Sequence, residues 1–105
     1  MSMDKITQLN AAIIKAIGQE NRLKILHLLQ GGEMCVNDIL QAIDQEQSNV
    51  SRHLNHLHRC GILSRRKEGL KTFYGIKHPE VLQMIDLTSV ISRRELADGE
   101  PLLMF

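Results

Sequence analysis

Tryptophan is absent from the 105 residues, tyrosine occurs once and phenylalanine twice, so aromatics make up 3% of the chain. A core must therefore be assembled from Leu, Ile, Val, Met and Ala, a palette that leans toward helices. Two cysteines, Cys35 and Cys60, are too few for a disulfide scaffold, and the N-terminus lacks the long apolar centre of a secretory signal. A reduced, cytoplasmic setting is expected. The longest apolar runs, residues 11–14 and 102–105, fall far short of the ~20 residues that span a bilayer, so no membrane partner is expected. Both prolines, Pro79 and Pro101, come late, and repeats, Ser/Gly linkers and low-complexity tracts are missing. The length leaves room for one domain, residues 1–105, with one core. Nor is there an excess of one charge: 13 Lys/Arg against 12 Asp/Glu leave +1.

That balance is a cancellation between two regions. Residues 46–78 hold seven Lys/Arg against two Asp/Glu, a local +5, with four of the five histidines; the other 72 residues hold six against ten, or −4. A cationic surface is therefore expected in the middle of the chain, with the acidic remainder facing away from it.

Apolar periodicity predicts the elements. Ile6, Leu9, Ile13, Ala16 and Ile17 recur at three- and four-residue steps after Asp4, a candidate N-cap, which gives a helix over 5–18 ended by Gly18. A second helix over about 21–30 is dense in Leu and Ile and stops at Gly31-Gly32. Residues 33–36 can pair as a short strand, and Asn37 is a candidate N-cap for a short helix bearing Ile39, Leu40 and Ile43. After a polar turn, a helix runs from Ser48 to Cys60 and ends at Gly61, a C′-type glycine. Residues 62–77 read as two strands about a glycine turn, basic at tip and stem. From Pro79, at a first-turn position, a last helix reaches about Arg94, and 95–105 is a loose tail.

The helix over 48–60 carries the chemistry. At about 100° per residue, Val50, Leu54 and Leu57 share one narrow stripe, and Ser48, Asn49, Arg52, Asn55, His56 and Arg59 lie outside it with no acidic residue among them. A basic helix face alone is commonly a solvated surface. Here a basic hairpin follows at once, and the order of elements is that of a winged helix-turn-helix: mainly α, about five helices and a small β-hairpin wing, with the helix-turn-helix over 37–61 and the wing over 62–77. An α-helix fits the major groove of B-DNA, where such side chains reach base edges and phosphates while a basic hairpin reaches flanking backbone. Ser48, Asn49, Ser51, Arg52, His53, Asn55, His56 and Arg59, with Arg65, Arg66, Lys67 and Lys71 of the wing, are therefore the expected contacts to double-stranded DNA.

Asn21-Arg22-Leu23-Lys24-Ile25-Leu26, Gln47-Ser48-Asn49-Val50-Ser51-Arg52-His53-Leu54, and Gly61-Ile62-Leu63 followed by Arg65-Arg66, Gly69 and Tyr74 resemble the ArsR/SmtB family of repressors, in unbroken order over roughly residues 5–92. The resemblance implies a homodimer joined through its first and last helices (5–18 and 79–94), bound to a palindromic operator and released by an effector. Dimerisation also follows from the residues. Ile6, Leu9 and Ile13, with Val81, Ile85, Thr88 and Ile91, exceed what one small core must cover.

Family members that sense soft metals or arsenite through the third helix carry Cys-Val-Cys; here the run is Cys35-Val36-Asn37, and Asn is a poor ligand for such ions. Members that sense zinc through the last helix pair an Asp-x-His with a later His and carboxylate; here the positions hold His78-Pro79-Glu80, then Ile91 and Arg94. His78 and Glu80 could ligate, but a cation fills the other half. Cys60, beside a glycine at a helix end, reads as a small buried hydrophobe, and Cys35 either packs or responds to oxidation, persulfidation or pairing with Cys60. His27 reads as a boundary or core residue and His58 as structural. No cofactor is fixed; a metal ion or a thiol modification is the candidate signal. An enzyme is not expected, because no Gly-rich phosphate loop, carboxylate pair or nucleophile-base-orienter set is present. The expected function is a sequence-specific transcriptional regulator, a repressor under a thiol or metal/metalloid effector. The rival is a winged-helix interaction module that docks through the apolar residues 102–105 without effector-controlled DNA binding.

Overall fold

The computed structural model describes residues 2–99, and the apolar tail at 102–105 lies outside them. Helix α1 (Met3–Ile17) is capped by Ser2, not Asp4: the Ser2 hydroxyl accepts from the Lys5 N–H at 3.2 Å, and Asp4 sits in the first turn. Helix α2 (Glu20–Leu28) is capped by the Gln19 side chain, which accepts from the Arg22 N–H at 2.9 Å, and closes in a 3-10 turn, Leu29–Gly31. Strand β1 (Met34–Cys35) leads directly into α3 (Val36–Ala42), whose cap is therefore Cys35 and not Asn37. Pairing of β1 holds Cys35 extended (φ −77°, ψ 157°), and the helix starts at the next residue.

Helix α4 (Gln47–Arg59) begins one residue before the expected Ser48 and ends where the glycine predicts. The Ile62 N–H reaches the Leu57 carbonyl at 2.9 Å and the Gly61 N–H reaches that of His58 at 3.1 Å, with Gly61 at φ +78°. This double closure requires a left-handed residue at Gly61 and sends the chain straight into the wing. The wing is β2 (Leu63–Glu68) and β3 (Lys71–Ile76), antiparallel from Leu63↔Ile76 to Glu68↔Lys71, around a two-residue Gly69-Leu70 turn. Gly69 at φ +61°, followed by a residue of negative φ, suits a type II′ hairpin turn. β1 adds to the other edge of β3, giving the order β1-β3-β2. Helix α5 (Glu80–Ala97) starts after Pro79, which caps it with helical dihedrals, and runs three residues past Arg94.

The core joins Ile25, Leu26 and Leu29 to Ile39, the Val50-Leu54-Leu57 stripe, Ile62, Leu63, Tyr74, Val81 and Ile85. Two of these correct the expected dimer face. The first turns of α5 lie on the body, so Val81 and Ile85 complete the monomer core; Thr88 and Ile91 remain exposed, joined by Leu87 and Val90. On α1, Ile6 and Leu9 are exposed and Ile13 is half-buried, while only Ala16 and Ile17 are buried. These projecting helices raise the radius of gyration to 15.4 Å, against ~13 Å for a compact domain of this length. Among the described residues no helix is long and apolar enough to cross a membrane.

Candidate nucleic-acid interface

With its apolar stripe buried, α4 turns the rest of its surface outward. Ser48, Arg52, Asn55 and Arg59 are exposed, and Asn49, Ser51, His53, His56 and His58 are half-buried along the flanks. Arg52 donates to the Asn49 carboxamide one turn earlier, which holds both side chains over the same patch.

His53 is held within the chain as a structural anchor. Its Nδ1 accepts from Arg22 Nε at 3.3 Å, while Arg22 Nη1 donates to the Ala16 carbonyl at 3.1 Å. One guanidinium thus ties the end of α1, the start of α2 and the middle of α4 together. Burial first, then the charges of Arg22 and Arg52 and the neighbouring His56, push the His53 pKa below its ordinary value. Burial, Arg22 and Arg59 do the same to His56. Both imidazoles are therefore neutral near pH 7, and the positive charge of α4 rests on Arg52 and Arg59. Arg22 has no functional role in the sequence reading; its signals there are a place in the Asn21–Leu26 run of the family resemblance and a cation in the first turn of a densely apolar helix.

The wing divides its cations between two faces, as strand alternation dictates. Arg65 and Lys67 share the face of buried Leu63 and look toward α4; Arg65 Nη1 donates to Asn55 Oδ1 at 3.5 Å, and the Tyr74 hydroxyl donates to the same atom at 3.5 Å. Arg66 lies on the opposite face. Its Nε donates to Glu33 at 2.8 Å and its Nη1 to Glu68 at 2.8 Å, and its guanidinium sits 4.4 Å from the centre of the Phe73 ring. These partners raise the Arg66 pKa further, and Arg66 holds the Glu68 carboxyl below its usual range. Arg66, expected to meet DNA backbone, is thus engaged within the chain, and Glu33 does not face away from the cationic region. The approach is close: a Cβ at Gly75 would lie 3.2 Å from that of Glu33. Lys71 is exposed beside the wing tip.

Cys60 departs from its expected burial, and Cys35 takes the packing alternative. Cys35 is 6% exposed, whereas Cys60, the C-cap of α4, is exposed with its Sγ 3.6 Å from His56 Nε2. Their pairing is not built in. Cys35 lies on β1 at the Phe73 rung, whereas Cys60 precedes β2, two strands across and beyond the Leu63 rung, about 10 Å away in each direction. His27 is exposed, and His78 and Glu80 are exposed at the start of α5 with no further ligand: among the described residues no three His, Cys, Asp or Glu side chains cluster as a metal site.

The model for the bacterial regulatory protein, arsR family, matches residues 19–65 of this chain. The chain is 37% identical over 78 residues to the cadmium resistance transcriptional regulatory protein CadC of Listeria innocua, an alignment that covers 73% of this chain and 66% of that protein. It is 35% identical over 85 residues to the transcriptional activator HlyU of Vibrio cholerae, covering 81% and 79%. The HlyU structure superposes with a TM-score of 0.76 over 85% of this chain and 97% of that one. The homodimeric winged helix-turn-helix DNA-binding domain of Mb0332 from Mycobacterium bovis, 30% identical, does so with 0.79 over 91% of each. All three are regulators of transcription or possible ones, not enzymes.

Proposed function

The chain belongs to the arsR family of bacterial regulatory proteins, and from that premise we propose that it is a cytoplasmic, homodimeric repressor that binds a palindromic DNA operator. The observation that carries this reading is the outward face of α4, free of acidic residues and flanked by the exposed Arg65 and Lys67 of the wing. Arg52, aimed by Asn49, reads bases together with Ser48 and Asn55; Arg59 and the wing lysines hold phosphates.

The dimer forms through the exposed apolar residues of α1 and the second half of α5: Ile6, Leu9 and Ile14 with Leu87, Val90 and Ile91. A single copy leaves these two helices projecting with their apolar sides in water, and a two-fold partner covers both. Such a pair sets two α4 helices about 34 Å apart, one turn of B-DNA. Leu9→Asp with Ile91→Asp should give a folded monomer in sedimentation velocity, since neither residue is buried in the core.

Release by an effector that attacks thiols from solvent starts at Cys60 and not at the buried Cys35. Cys60→Ser should then abolish the response of the DNA complex to such a reagent, and Cys35→Ser should preserve it. The reading as a whole is tested by fluorescence anisotropy on a duplex from the promoter upstream of the protein's own gene, at two salt concentrations. Arg52→Ala should weaken binding and relax sequence preference, and affinity should fall linearly in log salt. Salt-independent affinity that Arg52→Ala leaves intact would instead favour the interaction-module reading. A reporter that loses expression when the gene is deleted would make the protein an activator.

A further inference from the structure

Between α4 and the inner face of the wing lies a cavity of about 260 Å³. Its polar lining is Ser51 and Asn55 from α4, Arg65 and Lys67 from β2, and Thr72 and Tyr74 from β3. The register explains why they meet: Arg65 pairs with Tyr74 and Lys67 with Thr72, so all four belong to the face of the sheet that carries Leu63 inward. The acidic partners of the wing gather around Arg66 on the other face. No carboxylate lines the cavity, and among the described residues neither Arg65 nor Lys67 enters an ion pair. Asn55 Oδ1, accepting from both Arg65 and the Tyr74 hydroxyl, aims the guanidinium along the cavity wall.

Two cations, the Ser51 and Thr72 hydroxyls and the Asn55 carboxamide N–H around an acid-free concavity are the donor set of a tetrahedral oxyanion, the Tyr74 O–H being taken by Asn55 Oδ1. We infer that this cavity seats one phosphate-class oxyanion, held by Arg65 and Lys67 with the Ser51 and Thr72 hydroxyls donating. The same chemistry comes from two sources: a phosphate of the DNA backbone, or a free phosphate or phosphate ester that occupies the seat whether or not DNA is bound. The first source rests on the DNA-binding reading; the seat itself does not.

Tyr74 is the single tyrosine in a chain without tryptophan, so its fluorescence reports on this cavity directly. Titration with inorganic phosphate, with ionic strength held constant by chloride, should change that signal saturably in the millimolar range. Arg65→Gln combined with Lys67→Gln should weaken the response about tenfold or more, the loss of two charge-assisted contacts. The milder Thr72→Val should weaken it less, and circular dichroism checks that each variant is folded. A linear, unsaturable response, or a folded double variant that titrates like the parent, overturns the seat. A labelled duplex separates the sources. Phosphate that raises the duplex dissociation constant beyond the chloride control identifies a backbone phosphate as the occupant; phosphate that saturates Tyr74 without that effect identifies a free anion. Failure of the parent to bind any duplex while the phosphate response persists would refute the repressor reading and leave the seat standing.

Discussion

Replacing Arg22 with alanine removes a strut between three helices. Its Nε donates to His53 Nδ1 at 3.3 Å and fixes α2 to α4; its Nη1 donates to the Ala16 carbonyl at 3.1 Å and fixes α2 to the end of α1. Both bonds are only partly buried and longer than 3 Å, so each is set at the value of an ordinary protein hydrogen bond, about 1 kcal/mol, and losing both costs about 2 kcal/mol. In urea, with a slope of roughly 1–1.5 kcal/mol/M for a small domain, the unfolding midpoint should drop by about 1.5 M at fixed protein concentration. Arg22→Lys should recover little of this, because a single ammonium cannot reach two acceptors in the fork geometry of guanidinium. A double-mutant cycle with His53→Ala isolates the bond to α4 and should return a coupling of about 1 kcal/mol. An unchanged midpoint, or a coupling within about 0.3 kcal/mol of zero, would refute the idea that Arg22 positions the DNA-facing helix.

The pH dependence has a definite sign. His53 is held below its ordinary value, so the unfolded chain takes up the proton first; its contribution to stability is complete above about pH 6.5 and declines as the pH falls from there through the folded value. Melts at roughly pH 7.5 and 5.5 should show a larger acid loss for the parent than for His53→Ala, and equal losses count against the mechanism. Gly61→Ala forces a Cβ onto φ +78° with nothing within 4 Å to clash, so its cost is backbone strain alone, about 1 kcal/mol, or a melting point lower by about 4–8 °C; Gly61→Asn should lose less. In a salt series on the promoter duplex, Lys67→Ala, which removes one lysine from each protomer, should flatten the slope of log affinity by about two units, and Arg66→Ala should leave it as it was, because Glu33 and Glu68 already hold that guanidinium.

Helix α4 and the wing were legible because three local signals agree there: an apolar stripe at helical period, a glycine in the one conformation that closes the helix, and a glycine turn between two strands. The last helix was not legible to the same degree. Periodicity shows that α5 has an apolar side, but which residues meet the core and which meet solvent depends on where the helix leaves the body. That crossing lies after Ile85, which left Val81 and Ile85 inside and exposed Leu87 and Val90. Caps failed for a related reason. Asn37 has the better capping chemistry, yet β1 pairing fixes the extended residue at Cys35, so tertiary contact chose the boundary. A free cysteine beside a glycine at a helix end reads as a small buried hydrophobe, but Cys60 is the C-cap of α4 and is exposed, because the residue that ends the helix before a left-handed glycine lies past the buried stripe.

Charge shows most clearly what sequence counting leaves out. The +5 of residues 46–78 assigns equal weight to every cation, whereas the fold sorts them. Arg66 is neutralised by Glu33 from outside the segment and by Glu68 within it; His53 and His56 are kept neutral by burial and by arginine neighbours. Six of the seven Lys/Arg then remain, Arg52, Arg59, Arg65 and Lys67 on the α4 side and Lys71 and Lys77 exposed at the two ends of β3. Doubled in a two-fold dimer, these could neutralise about twelve phosphates at most, which bounds the salt slope at about −11. A local excess of charge therefore locates the surface, while strand alternation and ion pairing decide how much of that charge reaches the DNA.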